Sequence, residues 1–136
     1  MAKITRILVA DDHETARLLI RTLLSKKPEW EVYAEAADGE EAVELAKKSC
    51  PDLAILDIQM PRKNGIEAAK EILRQCPTTI ILSDSLHDVN FFADKLQEVG
   101  VKGFVFKPRM DRDLIPTVEA VLNGETRFPP SVSSAY

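Results

Sequence analysis

The chain has 136 residues and a net charge of −4, from 18 basic and 22 acidic side chains, with 45% apolar and 29% charged residues. That length suits one domain with one core, and the composition is that of an ordinary soluble chain. The acidic balance excludes nucleic acid as a partner of this chain, because a phosphate backbone needs a basic stripe.

The first apolar run, Ile7 to Ala10, stops at two adjacent acids, Asp11 and Asp12. At about four residues it is far too short for a leader's hydrophobic region or a membrane span, so no membrane partner is predicted. A strand is predicted over 6–10 and a helix over 14–26, with an apolar stripe of Ala16, Leu19, Ile20, Leu23 and Leu24. The next strand, 31–36, alternates: Val32, Ala34 and Ala36 are expected on one face and Glu31, Tyr33 and Glu35 on the other, as in an edge strand. Asp38 followed by Glu41 is a capping-box pattern that opens a helix over 39–49.

Residues 53–56 are continuously apolar and run into Asp57, and a helix is predicted over 65–75. Another apolar strand over 79–84 leads into Ser83-Asp84-Ser85, followed by a helix over 88–99 with a stripe of Val89, Phe92, Leu96 and Val99 that leaves Phe91 pointing outward. The last pair is a strand over 103–106, closed by Lys107-Pro108, and a helix over 112–123 stopped by Gly124. That helix carries Leu114, Ile115, Val118, Val121 and Leu122 inward. Pro116 falls early in it, where it is tolerable in the first turn and kink-forming deeper in. Residues 1–124 thus form one domain, and 125–136, proline- and serine-rich without periodicity, read as a tail or the start of an interdomain linker. Cys50 and Cys76 each precede a proline and form no CxxC pair, so they are read as two small buried thiols in a reducing cytoplasm.

Strict strand–helix alternation predicts a parallel sheet with helices on both faces. With the alternating second strand at an edge and the apolar strands inside, the order is 2-1-3-4-5, a flavodoxin-like doubly wound α/β fold. Such sheets bind ligands at the carboxyl ends of their strands. Asp11, Asp12, Asp57, a serine (Ser83 or Ser85) and Lys107 are gathered there from four strands. Taken singly, each is an ordinary turn or cap residue. Together they describe chemistry. Three close carboxylates need a cation, and hard oxygen ligands suit Mg²⁺. A carboxylate beside such a metal is able to attack phosphorus, with a lysine and a hydroxyl on the phosphoryl oxygens. Asp57 stands alone at the end of the central strand and is the predicted nucleophile; Asp11 and Asp12 are predicted metal holders.

The stretches ILVADDHE, PDLAILDIQMPRKNG, TIILSDSLHD and GVKGFVFKP together resemble the receiver domain of two-component response regulators, over residues 4–124. The resemblance implies that Asp57 is the phosphoacceptor, charged by a sensor histidine kinase or a phosphotransfer protein. It implies Mg²⁺ on Asp11, Asp12, Asp57 and the backbone carbonyl of Gln59. Lys107 is implied as the phosphoryl-pairing lysine, with a cis bond to Pro108. The spacing to the fifth strand matches Ser85 rather than Ser83 to the family's switch hydroxyl, and Phe104 to its switch aromatic. Leu86, where the family often has a small residue, flanks the site with His87 and Pro108. The family acts through the surface of its fourth helix, fifth strand and fifth helix, so Phe91 is a candidate anchor for a downstream effector or for a second copy. The closing AVLNGETRFPPSVS resembles the end of a LuxR-type receiver, where a linker leads to a helix-turn-helix domain. DNA binding would need that further part. On this reading the protein is a cytoplasmic signalling module and not an enzyme beyond its own phosphorylation and dephosphorylation. The alternatives are a degenerate receiver that only binds, and an aspartyl-phosphate phosphatase of the haloacid-dehalogenase type. The latter needs a second Asp two residues after the nucleophile, where this chain has Gln59.

Overall fold

A computed structural model describes residues 3–130. The sheet is built of β1 (Thr5–Ala10), β2 (Trp30–Ala36), β3 (Leu53–Asp57), β4 (Ile80–Ser85) and β5 (Gly103–Phe106). All pairings are parallel, in the order β2-β1-β3-β4-β5. The helices are α1 (Glu14–Leu24), α2 (Gly39–Lys48), α3 (Gly65–Gln75), α4 (Ala93–Val99) and α5 (Met110–Leu122). The predicted flavodoxin-like architecture is the observed one.

The sheet separates two apolar cores. Ile7, Val9, Ile55, Leu82 and Val105 pack with α1 and α5, while Leu8, Leu56, Ile81 and Phe104 face the other way, toward α2, α3 and α4. Both faces of β1, β3 and β4 are therefore dry, which is why those strands read as unbroken apolar runs. The capping box at α2 forms as predicted: Glu41 N–H donates to Asp38 Oδ1 at 2.8 Å, and the Glu41 carboxylate accepts from Ala37 N–H at 2.7 Å.

Several local predictions are corrected. In β2 the register with β1 slips between Ile7 and Leu8, which pair with Val32 and Ala34. The extra residue, Tyr33, is a bulge, and a bulge turns all later side chains to the opposite face. Val32 accordingly joins the α1/α5 core, while Tyr33, Ala34 and Ala36 join the other. In α1, Leu19 is not part of the buried stripe. It is 43% exposed because Ile20, Leu23 and Leu24 already fill the contact with the sheet. The fourth helix starts later than predicted: Val89–Phe91 is a separate 3₁₀ turn capped by Asp88, and α4 begins at Ala93. Asn and aromatic residues with weak helix preference fill that turn. Pro116 lies in the interior of α5, past the first turn, where it offers no N–H for the regular helical bond to the Arg112 carbonyl.

The cysteines are not free thiols. Cys50 and Cys76 form a disulfide, with Cα atoms 5.7 Å apart. Each stands at the end of a helix, just before the strand that follows, and α2 and α3 lie side by side. Two equivalent positions in adjacent units are thereby brought within bonding reach.

The segment after α5 does not leave the domain at once. Arg127 N–H donates to the Lys102 carbonyl at 2.8 Å, and Phe104 N–H donates to the Arg127 carbonyl at 3.1 Å. Residues 131–136 of the predicted tail lie outside the described residues.

Candidate functional site

Side-chain alternation sorts the strand ends into two groups. Asp57 continues the face of Ile55, Asp84 that of Leu82, and Lys107 that of Val105, all on the α1/α5 side. Ser83, Ser85 and Phe104 continue the face of Ile81, toward α3 and α4.

On the first face, Lys107 Nζ lies 2.6 Å from Asp11 Oδ2 and 3.2 Å from Asp57 Oδ2. Asp11 and Asp57 are both buried. Asp57 Oδ1 accepts from Gln59 N–H at 3.2 Å, and Asp11 Oδ1 accepts from His13 N–H at 2.9 Å. Asp12 is more exposed, and its carboxylate lies 3.2 Å from His13 Nδ1. Asp11, Asp12 and His13 present ligand atoms within 4.8 Å of one another, and Lys107 bridges this cluster to Asp57. Lys107 thus joins Asp11 to Asp57, and Asp12 lies beside Asp11 and His13. His13 was not singled out by sequence, although it directly follows the two acids.

Asp84 was also missed. It sits in register with Asp57, fully buried, and neither carboxylate oxygen has a hydrogen-bond partner. The signal was present in the sequence: Leu82 and Asp84 alternate with Ser83 and Ser85, so one parity carries hydroxyls and the other an acid at the end of an apolar row.

Burial and neighbouring charges act together on Asp57, Asp84 and Lys107. Burial raises the Asp57 carboxyl above its ordinary range; Lys107 opposes this and Asp11 adds to it. Asp84 is pushed well above that range, first by burial, with Asp57 and Asp11 adding to the effect of burial and Lys107 opposing it. Burial alone would lower Lys107, but Asp84, Asp11 and Asp57 outweigh it and hold the ammonium above its usual value. Acids outnumber the single lysine, and two buried oxygens are orphaned. The oxygen-rich cluster of Asp11 and Asp12, with Asp57 across Lys107, has the chemistry of a site for a hard divalent cation such as Mg²⁺.

The backbone holds these groups in place. Gly65 opens α3 directly against the end of β3, where an added Cβ would lie 2.1 Å from the Asp57 carbonyl oxygen. Asn64 caps that helix through Ile66 and Glu67 N–H. Arg17 donates to the Asp11 carbonyl at 2.6 Å and to Glu35, tying β1 to β2.

On the second face, Ser85 Oγ accepts from His87 N–H at 3.0 Å, so the hydroxyl is engaged in its own turn. Phe104 is buried at 1% exposure. Leu86 is 63% exposed and stands on the rim. With Leu19, Ala16 and His13 it borders an open, largely apolar cleft of about 550 Å³ that reaches Lys107. Phe91 is 74% exposed, and its ring centre lies 5.9 Å from that of His87. The implied cis bond before Pro108 is corrected: no cis peptide occurs among the described residues. Lys107–Arg109 form a 3₁₀ turn leading into α5, a helix-start position that accepts an ordinary trans proline.

Comparison with known proteins agrees with this geometry. The transcriptional regulatory protein DegU of Brevibacillus brevis is 36% identical over 129 residues, covering 94% of this chain and 54% of that one. The chain therefore spans about half the length of the curated relatives it matches. A LuxR-family response regulator from Aurantimonas sp. SI85-9A1 superposes with a TM-score of 0.88 at 34% identity, covering 94% of this chain and 91% of that one. The signal receiver domain of the putative response regulator NarL from Mycobacterium tuberculosis gives a TM-score of 0.82 at 31% identity, covering 90% and 99%. Residues 7–119 match the response regulator receiver domain, and the chain belongs to that family.

Proposed function

We infer that this chain is a phosphorylation-switched signalling module whose phosphoacceptor is Asp57. The single observation that carries the reading is Lys107, held between two buried carboxylates at the carboxyl end of a parallel sheet. An oxygen of the Asp57 carboxylate attacks the phosphorus of a phosphohistidine on a sensor histidine kinase or phosphotransfer protein. The bond from phosphorus to the donor nitrogen breaks as the acyl phosphate forms. Lys107 moves its charge from the carboxylates to the phosphoryl oxygens. Ser85, whose Oγ accepts from His87 N–H, donates its hydroxyl hydrogen to another of those oxygens. Asp11, Asp12, Asp57 and the Gln59 carbonyl would hold Mg²⁺, which supplies neutralisation of the charge developing on the transferred group. His87 and Leu86 border the approach to the site.

The apolar cleft beside Leu19 and Leu86 suits a helix of the phosphodonor. Phe91 and the α4–β5–α5 surface form the output face, toward an effector or a second copy, with Phe104 as the buried switch aromatic beneath it. The family resemblance supports placing the module in the cytoplasm, where such donors and effectors meet, although the Cys50–Cys76 disulfide is uncommon in that reducing compartment. No helix among the described residues is long and apolar enough to cross a membrane.

Intact mass after incubation with acetyl phosphate and Mg²⁺ tests the phosphoacceptor. One phosphoryl adduct is expected on the wild type and none on Asp57→Asn; an adduct on both would place the acceptor elsewhere. Binding of Mg²⁺ alone is a separate expectation. At about 100 times its Kd the ion should add roughly 2.7 kcal/mol to the unfolding free energy, and Asp57→Asn should need more ion for the same gain. Identical melting curves with and without saturating Mg²⁺ would count against the proposed ligand set.

A further inference from the structure

The end of the sheet away from Asp57 carries a second reactive pair. Cys50 and Cys76, bonded to one another, follow the last turns of α2 and α3, and the two ends of the bond differ in access. Cys76 is 2% exposed and packs in the core beneath the two helices, its sulfur 3.5 Å from the Ala46 carbonyl oxygen. Cys50 is exposed. The Arg6 guanidinium donates to the Cys50 carbonyl at 3.3 Å. Lys47 and Lys48 close α2 just before Cys50, Arg74 closes α3 just before Cys76, and all three are exposed. The one acid in the segments 47–52 and 74–79 is Asp52, whose carboxylate accepts from Arg6 N–H at 2.8 Å. An acidic chain thus flanks this bond mainly with cations.

We propose that Cys50 is a thiol-exchange site for an anionic low-molecular-weight thiol, with Cys76 as the buried resolving thiol. The thiolate attacks the exposed Cys50 sulfur in line with the existing bond. A new sulfur–sulfur bond forms there as the Cys50–Cys76 bond breaks. The bonding pair leaves with Cys76, which takes a proton from water and as a thiol donates to the Ala46 carbonyl. Return of Cys76 to the mixed disulfide, with loss of that proton, expels the small thiol and restores the bond. Attack by a second small thiol instead leaves both cysteines reduced and releases the two small thiols as their own disulfide.

Access decides which sulfur is attacked. Burial makes the Cys76 thiolate the costlier leaving group, but attack on Cys76 would require the small thiol to enter the core under α2 and α3. The basic flank raises the local concentration of a negatively charged thiol. In a reducing compartment a lasting disulfide is uncommon and an exchanging one is the ordinary case. The inference does not depend on the phosphoryl-site reading.

The full chain, purified without reductant, is incubated with reduced glutathione, quenched with acid at intervals, labelled with a maleimide in denaturant and mapped by peptide mass. In the singly opened species, glutathione is expected on Cys50 and the maleimide on Cys76. With oxidised glutathione, Cys76→Ser should gain one glutathione at least about tenfold faster than Cys50→Ser does. Glutathione found first on Cys76, equal rates in the two variants, or a bond that resists millimolar glutathione would overturn the site. The wild-type map needs no variant, so a loss of folding in either substitution does not remove the test.

Discussion

Asp84→Val is expected to stabilise the metal-free chain at pH 8 by about 1–4 kcal/mol, read by urea unfolding in the presence of EDTA. The acid is fully buried in register with Asp57 and Val105, and both its oxygens lack a hydrogen-bond partner. Valine has a similar branched shape, with one fewer side-chain heavy atom, and extends the apolar row of Leu82 without a polar group to desolvate. Asp84→Asn should recover less, because the amide is as unpaired as the acid. The difference between wild type and Asp84→Val should also depend on pH. Burial raises the folded-state pKa of Asp84 well above its unfolded value. The favourable contribution of the protonated acid is therefore complete below about pH 4 and is lost as pH rises through the folded-state pKa. The valine advantage should grow from about pH 4 upward and then level off. A constant difference across that range would show that Asp84 does not change its proton affinity on folding.

The second large effect concerns the opposite end of the sheet. Reduction of the Cys50–Cys76 bond, which spans a sequence separation of 26, is expected to cost about 3–4 kcal/mol through the added freedom of the unfolded chain. For a chain of this size that corresponds to a drop in Tm of roughly 10 °C. Cys50→Ser should melt at the lower temperature with or without dithiothreitol, and only the wild type should respond to it. A wild type whose Tm ignores the reductant, while thiol titration finds two free sulfhydryls, would refute the expectation. The full length of β3 separates Cys50 from Asp57, so the phosphoryl adduct should form to the same extent in the oxidised and reduced protein.

These two cases also show how far local pattern reached. Asp57 and Lys107 were legible because each ends an apolar strand, and a parallel sheet gathers such ends at one edge. Asp84 was obscured by the two serines around it, which drew attention to hydroxyls; only its strand parity carried the signal. His13 adjoined two acids, but its Nδ1 comes within reach of Asp12 only through the conformation at the start of α1. For Leu19, the apolar stripe of α1 was wider than the surface the sheet had to cover.

By itself, the sequence determined the alternation of strands and helices, the order 2-1-3-4-5 and the capping box of Asp38 and Glu41. It also determined the convergence of Asp11, Asp12, Asp57 and Lys107. Each of these follows from periodicity, from punctuation within a few residues, or from the rule that parallel strands end together. Tertiary structure decided the bulge at Tyr33, the pairing of Cys50 with Cys76, the break before α4 and the return of residues 126–130 onto β5. Those outcomes depend on offsets between neighbouring strands and on which surfaces remain uncovered after the helices have packed. Both are properties of pairs of elements far apart along the chain, so no local period or spacing records them.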